Sequence, residues 1–138
     1  MSTAPVPTIR IAAALIDDDS GRMLLVRKAG TPWFMQAGGK IEPGETPFRA
    51  LQRELLEEVG LALQEDEARY IGQFSSPAAN EAGHVVQADI FHVRVRPPLA
   101  VGAEIEEAVW VDLLEAEPMP LAPLTRTHVL PLASRMWA

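Results

Sequence analysis

The chain has 138 residues, 48% of them hydrophobic, which is enough for one domain with a substantial apolar core. It contains no cysteine, which excludes disulfides, a thiol nucleophile and a cysteine-ligated zinc site. The formal net charge of −7 argues against a nucleic-acid-binding surface, which requires a basic patch.

The beginning of the chain, MSTAPVPTIR, has no basic segment followed by an apolar core, and no apolar run reaches membrane-spanning length. We therefore expect a cytoplasmic protein without a signal peptide or membrane contact. Because no repeat or linker divides the sequence, we expect a single domain over residues 1–138.

Two strands and a turn are predicted before residue 28. Residues 9–16 form an apolar run typical of a buried strand, and residues 22–27 (RMLLVR) form a second. The intervening DDDSG is a turn signal, so the two strands should form a hairpin. Its three aspartates could also bind metal, but a solvated turn is the simpler interpretation. Residues 28–32 are predicted as loop and residues 33–36 as a short extended segment.

A helix of about three turns is predicted after Thr46. Thr46 suits the N-cap, Pro47 suits the first helical position, and Gly60 can adopt the left-handed conformation that ends a helix. The intervening residues favour helix. Four apolar side chains fall on one stripe that should pack against a sheet: Phe48, Leu51, Leu55 and Val59.

Three glutamates of this helix are spaced to act together. Glu54, Glu57 and Glu58 stand at positions i, i+3 and i+4, so their carboxylates share one face of the helix. Like charges at this spacing repel each other, and a bound cation would offset the repulsion. Clustered hard oxygen ligands suit Mg²⁺, with Mn²⁺ as a substitute. The alternative is a solvated acidic face, which is the usual meaning of this spacing when it occurs alone.

The helix belongs to a longer pattern, G-x5-E-x7-R-E-U-x-E-E-x-G-U, in which U is a bulky aliphatic residue. The fixed positions are Gly39, Glu45, Arg53, Glu54, Leu55, Glu57, Glu58, Gly60 and Leu61. Every position matches, and the pattern resembles the Nudix box. Nudix hydrolases cut a diphosphate linkage attached to a nucleoside, using bound magnesium. Many have proline before the glycine pair, where this chain has Ala37.

The resemblance implies roles for the box residues. Glu54, Glu57 and Glu58 would hold one or more Mg²⁺ ions, with the carbonyl of Gly39 as a further ligand. Glu45 and Arg53 would form an ion pair that ties the loop to the helix, which favours a supporting role for Glu45 over metal ligation. Gly38 and Gly60 would support the box by allowing its backbone turns.

The resemblance does not identify the general base. The candidates are Glu57 itself and a late acid near the strand at residues 108–111, either Glu104 or Glu107. For both late acids the alternative is a solvated position at the end of a strand. The catalytic candidates are Glu54, Glu57 and Glu107.

The remaining elements follow the box. We predict strands at residues 69–73, 84–95 and 108–111, a loop at 74–83, and a terminal helix at 124–136. Pro97 and Pro98 should end the long strand, and Pro131 is awkward within the helix. This order predicts an α/β fold with a mixed sheet between helices. The resemblance implies the Nudix-type α/β/α sandwich.

Candidate substrate contacts lie outside the box. Arg27 and Lys28 end the second strand near the expected cleft and are candidates for phosphate contacts. Trp33 and Phe34 could stack on a base or belong to the core. The 74–83 loop is a candidate lid or base pocket, and its Pro77 resembles a proline of Nudix enzymes that act on ADP-ribose. His84 and His92 lack ligand spacing, and we interpret them as structural.

The predicted function is magnesium-dependent hydrolysis of a nucleoside triphosphate, with sanitising of the nucleotide pool as its purpose. The alternatives are an ADP-ribose or nucleotide-sugar pyrophosphatase and a nucleotide-sensing module without catalysis. The predicted partner is a small nucleotide, not nucleic acid or membrane. Dimers are common in the family, which leaves a homodimer open, but no pattern locates an interface.

Overall fold

The computed structural model describes residues 6–96 and 98–138. Residues 1–5, which belong to the segment expected not to be a signal peptide, and Pro97, which was expected to end a strand, lie outside the described residues. No helix in the described part of the chain combines the length and apolar character that a membrane crossing requires.

The described strands form one mixed sheet of seven. They are β1 (Thr8–Asp17), β2 (Met23–Lys28), β3 (Phe34–Met35), β4 (Ala37–Lys40), β5 (Ala68–Pro77), β6 (Val85–Arg94) and β7 (Ile105–Val111). Strand β1 is central: it pairs in parallel with β6 along its length and antiparallel with β4 and the start of β2. Strand β5 extends the sheet beyond β6, while β3 and β7 flank β2.

Helices cover both faces of this sheet. The helix α1 (Pro47–Val59) packs on one face, and the opposite face is covered by α2 (Leu113–Ala116), a π-helical turn (Thr125–Val129) and α3 (Leu130–Met136). Neighbouring residues of β1 alternate between the two cores, with Ala13 and Leu15 in one and Ala14 and Ile16 in the other. Burial on both faces explains why β1 reads as a continuous apolar run. The predicted α/β/α sandwich is confirmed.

The sequence prediction was wrong about β4, the end of β5 and α2, and β7 begins at Ile105 instead of residue 108. Strand β4 lies in a segment predicted to be loop, and β5 continues to Pro77, so residues 74–77 are strand. The short helix α2 was not predicted, although Asp112 and Glu115 form a capping box at its start. The terminal helix covers the predicted residues 124–136; it begins with the π turn, and Pro131 stands in the first turn of α3, where its missing N–H is tolerated.

Two of the three aspartates predicted to form a solvated turn are buried, while Asp19 is exposed. Asp17 is fully buried and Asp18 is nearly so, because both serve as hydrogen-bond acceptors. His92 Nε2 and Trp137 Nε1 lie 2.8 and 2.9 Å from the two Asp17 carboxylate oxygens. Burial acts to raise the pKa of Asp17, but hydrogen bonds from Arg94, Trp137 and His92 outweigh it and lower the pKa. His92 therefore has the structural role predicted for it.

Candidate active site

The helix α1 begins and ends at the predicted residues because local signals fix both ends. Thr46 Oγ1 accepts a hydrogen bond from Arg49 N at 3.2 Å, and Pro47 occupies the first turn. Gly60 ends the helix with a φ of 70°, in the left-handed region. Leu51, Leu55 and Val59 are fully buried against the sheet, which fixes the rotation of the helix and directs its acidic residues.

Arg53 connects the loop before the helix to the acidic face. Its guanidinium donates from Nε and Nη2 to the two carboxylate oxygens of Glu45, both at 2.9 Å, and from Nη1 to Glu54 Oε1 at 2.7 Å. Nη2 also donates to the carbonyl of Lys40. The hydrogen bonds from Arg53 lower the pKa of Glu45 to about 2, so Glu45 is ionised at neutral pH. Glu45 and Arg53 thus form the ion pair that the resemblance implies.

Glu58 is the buried member of the three box glutamates. Its Oε1 accepts a hydrogen bond from the backbone N–H of Gly38 at 3.1 Å, and its Oε2 lies 3.4 Å from Lys28 Nζ. Burial raises the pKa of Glu58 to about 7 against the opposing effects of Lys28 and Gly38, and the nearby Glu54 carboxylate raises it further. A bound cation would offset the cost of burying this carboxylate in its ionised form.

The two glycines bring the backbone of β4 close to its neighbours. A Cβ at Gly38, which has a φ of 152°, would overlap the backbone of β1 at Ala12 and Ala13. A Cβ at Gly39 would lie 2.5 Å from Glu54 Cδ. Glycine at both positions therefore allows β4 to pass between β1 and the acidic face of α1.

The donor set suits a divalent cation, but two of its members, Glu54 and Glu58, pair with protein cations. Glu54 and Glu58 interact electrostatically, their oxygens are hard ligands, and Glu57 is exposed one turn from Glu54. Within residues 6–96 and 98–138, no three acidic or histidine side chains converge as a complete metal cluster. Arg53 instead contacts Glu54, and Lys28 contacts Glu58.

The two late acids lie near the start of β7, Glu104 before the strand and Glu107 within it. Glu107 pairs with Arg27, whose Nη2 is 2.7 Å from Glu107 Oε1, across the β2–β7 register. Val109 packs on the face of the sheet opposite α1, and alternation along β7 puts Glu107 on that same face. The backbone carbonyl of Glu104 accepts from Ala29 N at 2.9 Å, in the loop before β7. Glu107 is therefore engaged away from Glu58, whereas the loop that carries Glu104 lies against α1, since Gly102 N donates to the carbonyl of Glu58 at 2.8 Å.

A cleft opens on the face opposite α1, beside the glycine pair. Its empty volume is about 780 Å³, which includes space open to solvent. Ile9 and Ile11 of β1, Val86 of β6 and Leu124 form apolar walls. The loop after β5 forms one rim, where Lys40 Nζ lies 3.6 Å from Glu81 Oε1.

The predicted substrate contacts divide into two groups. Lys28 and Pro77 line this cleft together with Gly38 and Gly39 of the box, while Arg27 and Trp33 are not among its lining residues. Phe34 is buried in the core, where its backbone carbonyl and N–H bond to Ala122 and Pro120. This burial favours the second interpretation of Phe34, a role in the core.

Sequence reasoning missed two polar residues of the cleft. Gln36 and Thr125 both line it, both are buried, and Thr125 Oγ1 donates to Gln36 Oε1 at 2.8 Å. They are separated by 89 residues. No local sequence signal links them.

Comparisons with known proteins agree with this geometry. The family model described as the NUDIX domain matches residues 7–132. An 8-oxo-dGTP diphosphatase of Haemophilus influenzae is 30% identical over 128 residues, covering 88% of this chain and 90% of that protein. A CTP pyrophosphohydrolase of Escherichia coli is 34% identical over 122 residues, covering 83% and 84%.

A solved structure extends the comparison to three dimensions. The crystal structure of a MutT protein from Methanosarcina mazei Go1 has a TM-score of 0.75 at 23% identity, covering 97% of this chain and 98% of that one. The fold is therefore the same over nearly the whole chain. Since the family match also includes the complete box, this chain belongs to the Nudix hydrolases and is a pyrophosphohydrolase acting on phosphorus-containing anhydrides.

Proposed function

We propose that the protein hydrolyses a phosphoanhydride bond of a nucleoside triphosphate with Mg²⁺ as its metal, as part of sanitising the nucleotide pool. One observation carries the proposal. Gly38 and Gly39 line the cleft, and the same two residues contact the carboxylates of Glu58 and Glu54. A nucleotide in the cleft would thus have its phosphates beside the acidic face of α1.

The relatives support a triphosphate as the substrate. The Haemophilus relative is named for 8-oxo-dGTP and the Escherichia relative for CTP, and each aligns over more than four fifths of its own length. Both names describe cleavage within a nucleoside triphosphate. The same class of substrate fits a cleft with apolar walls for a base and a glycine-lined end for phosphates.

The metal would be held by Glu54, Glu57 and Glu58, with the carbonyl of Gly39 as a further ligand. Nudix hydrolases generally need divalent metal ions, and an oxygen-only donor set favours Mg²⁺ or Mn²⁺. When bound, the metal supplies charge neutralisation at the phosphates and lowers the pKa of a water molecule. It also explains how a chain with a net charge of −7 binds an anionic substrate.

The protein's own residues supply orientation and a proton acceptor. Arg53 fixes one oxygen of Glu54, which leaves the other oxygen available as a ligand. Lys28 both contacts Glu58 and lines the cleft, so it can contact a phosphate once a metal occupies Glu58. Glu57 is exposed, whereas Glu107 is engaged by Arg27. We therefore assign proton abstraction from the attacking water to Glu57.

ADP-ribose is the second candidate substrate, because Pro77 lies on the wall of the cleft. The position of this proline resembles that of Nudix enzymes acting on ADP-ribose. Nucleotide sugars share the same diphosphate linkage and belong in the same test. The third interpretation, a nucleotide-sensing module, predicts binding without turnover.

The test is phosphate release from a panel of nucleotides, coupled to pyrophosphatase and phosphatase, with Mg²⁺ and with EDTA. The panel contains normal and oxidised nucleoside triphosphates, ADP-ribose and nucleotide sugars. We expect EDTA-sensitive turnover that is greatest on a triphosphate. Glu57→Gln should lower kcat by about 10³-fold with an unchanged circular dichroism spectrum, because it removes the proton acceptor and a metal ligand.

The matched control is Glu65→Gln, an exposed acid outside the helix, which should retain wild-type kcat. Wild-type turnover in Glu57→Gln would contradict the assignment of Glu57. Higher kcat/KM on ADP-ribose than on every triphosphate would replace the proposed substrate. Nucleotide binding without turnover on any member would favour the sensing module.

A further inference from the structure

Two buried polar side chains stand out in the otherwise apolar wall of the cleft. Gln36, between β3 and β4, is 5% exposed, and Thr125, at the start of the π turn, is fully buried. The neighbouring wall residues include Ile9, Ile11 and Leu124. Polar groups in such surroundings are normally fully hydrogen-bonded, because burial without a partner is destabilising.

The amide of Gln36 has one end occupied and one end free. Its Oε1 accepts from Thr125 Oγ1 at 2.8 Å, while its Nε2 is buried and has no hydrogen-bond partner among the residues that the structure describes. The hydroxyl of Thr125 therefore fixes which end of the amide is committed. The end that is left is a donor.

A second buried group without a partner lies nearby. Ser76 Oγ is the other such side-chain atom in the described part of the chain. Ser76 precedes Pro77, which lines the cleft, and its register partner on β6 is Val86, which also lines it. Paired residues of neighbouring strands share a face of the sheet, so Ser76 belongs to the cleft side. Ser76 itself is not among the lining residues, so Gln36 is the unpaired group that belongs to the cleft.

We propose that Gln36 determines base specificity, by donating from Nε2 to a carbonyl oxygen of the base in the cleft. The proposal rests on the proposed nucleotide hydrolysis and names the base class: bases with an oxo group are favoured over those with an amino group at that position. Nε2 is covered in the structure, so the base must displace the side chains that cover it while Oε1 stays bonded to Thr125.

The discrimination follows from hydrogen-bond chemistry. Guanine and hypoxanthine present an acceptor oxygen at the 6-position, and adenine presents an amino donor there. With Oε1 held by Thr125, Gln36 can present only its Nε2–H donor to the base. Adenine has an amino donor at the 6-position, so the two donors cannot form a hydrogen bond. Inosine and adenosine triphosphates differ in this group, so they form the matched pair of substrates.

The experiment measures the ratio of kcat/KM for ITP over ATP in the wild type and in variants of both residues. We expect the wild type to favour ITP by about tenfold or more, consistent with one good hydrogen bond to a base. Gln36→Met should bring the ratio near one. Gln36→Glu, which presents only acceptors when ionised, should reverse it. Thr125→Val should lower it, because the released amide can turn its oxygen toward adenine.

The control is Gln87→Met, on the face of β6 opposite Val86, which should keep the wild-type ratio. An unchanged ratio in Gln36→Met, or equal turnover of ITP and ATP by the wild type, would overturn the role of Gln36 while leaving nucleotide hydrolysis intact. If neither nucleotide is hydrolysed, the proposed function fails. The affinities for ITP and ATP from calorimetry then decide the inference, and equal affinities would overturn it.

Discussion

On the α1 face of the sheet, carboxylates are held by protein cations, whereas the opposite face presents apolar walls and a buried amide without a partner. Arg53 holds Glu45 and Glu54, and Lys28 holds Glu58. In the cleft, Gln36 Nε2 stays unpaired among the described residues. The two regions meet at one strand, β4, whose glycines contact the acids on one side and line the cleft on the other.

The difference teaches how reaction and selectivity are encoded. The charged region comes mainly from residues 38–61, which are close in sequence and fixed by helix geometry. The cleft draws on β1, β4, the end of β5, β6 and the segment at 122–125, which only the fold brings together. Chemistry common to many substrates is thus encoded locally, and the choice among substrates is encoded by long-range packing.

The largest expected effect separates acids on the α1 face from the acid on the other face. Glu54→Gln should lower kcat by at least about 100-fold, because it removes a proposed metal ligand and the partner of Arg53. Glu107→Gln should cost less than about tenfold, since Glu107 is engaged by Arg27 at the β2–β7 register. Both variants are assayed with saturating Mg²⁺. An equal loss of kcat in the two variants would contradict the difference between the two faces of the sheet and would indicate that Glu107 is a catalytic residue.

The next effect concerns the buried acid in the metal-free protein. Burial raises the pKa of Glu58 from an ordinary value near 4.5 to about 7. Glu58 then binds its proton more tightly in the folded state than in the unfolded state. This stabilises the folded state fully below pH 4.5, and the stabilisation is lost as pH rises through 7. The loss is on the order of 3 kcal/mol in the free energy of unfolding.

Guanidinium unfolding in EDTA at pH 5 and pH 8 measures this loss. Glu58→Gln has no titrating group at this position. The free energy of unfolding of the wild type, relative to that of this variant, should therefore decrease from pH 5 to pH 8. Glu45 and Asp18, with pKa values of about 2, contribute below this window because their stabilisation is lost only as pH falls. Parallel pH dependence of wild type and variant would contradict the raised pKa.

The sequence predicted α1 to the residue because its signals are local: Thr46 caps it, Pro47 begins it and Gly60 ends it. Strand β4 was missed because Ala37, Gly38 and Gly39 have low strand propensity, and only pairing with β1 makes them a strand. The end of β5 was missed for the same reason, since its register with β6 is a long-range property.

In the site, too, residues with local sequence signals could be predicted, and residues brought together by long-range packing could not. The box glutamates were proposed from their spacing within the full pattern, and the Glu45–Arg53 pair was predicted through the resemblance. Gln36 and Thr125 were not, because a hydrogen bond across 89 residues leaves no periodic signal. The capping box of α2, at Asp112 and Glu115, is different: its signal was present in the sequence and could have been used.

The smallest expected effect tests whether the charged face depends on geometry as well as charge. Arg53→Lys keeps the charge but loses the planar fork that bonds Glu45 through two nitrogens and Glu54 through the third. We expect kcat to fall by about tenfold and Mg²⁺ affinity to weaken by a similar factor, since supporting residues of metal sites act through ligand orientation. Arg49→Lys, on the same helix and bonded only to Gln52 through its side chain, is the control. Magnesium titration of the lysine variant distinguishes ligand orientation by Arg53 from an effect of its charge alone. If only the charge mattered, kcat and Mg²⁺ affinity would both be unchanged.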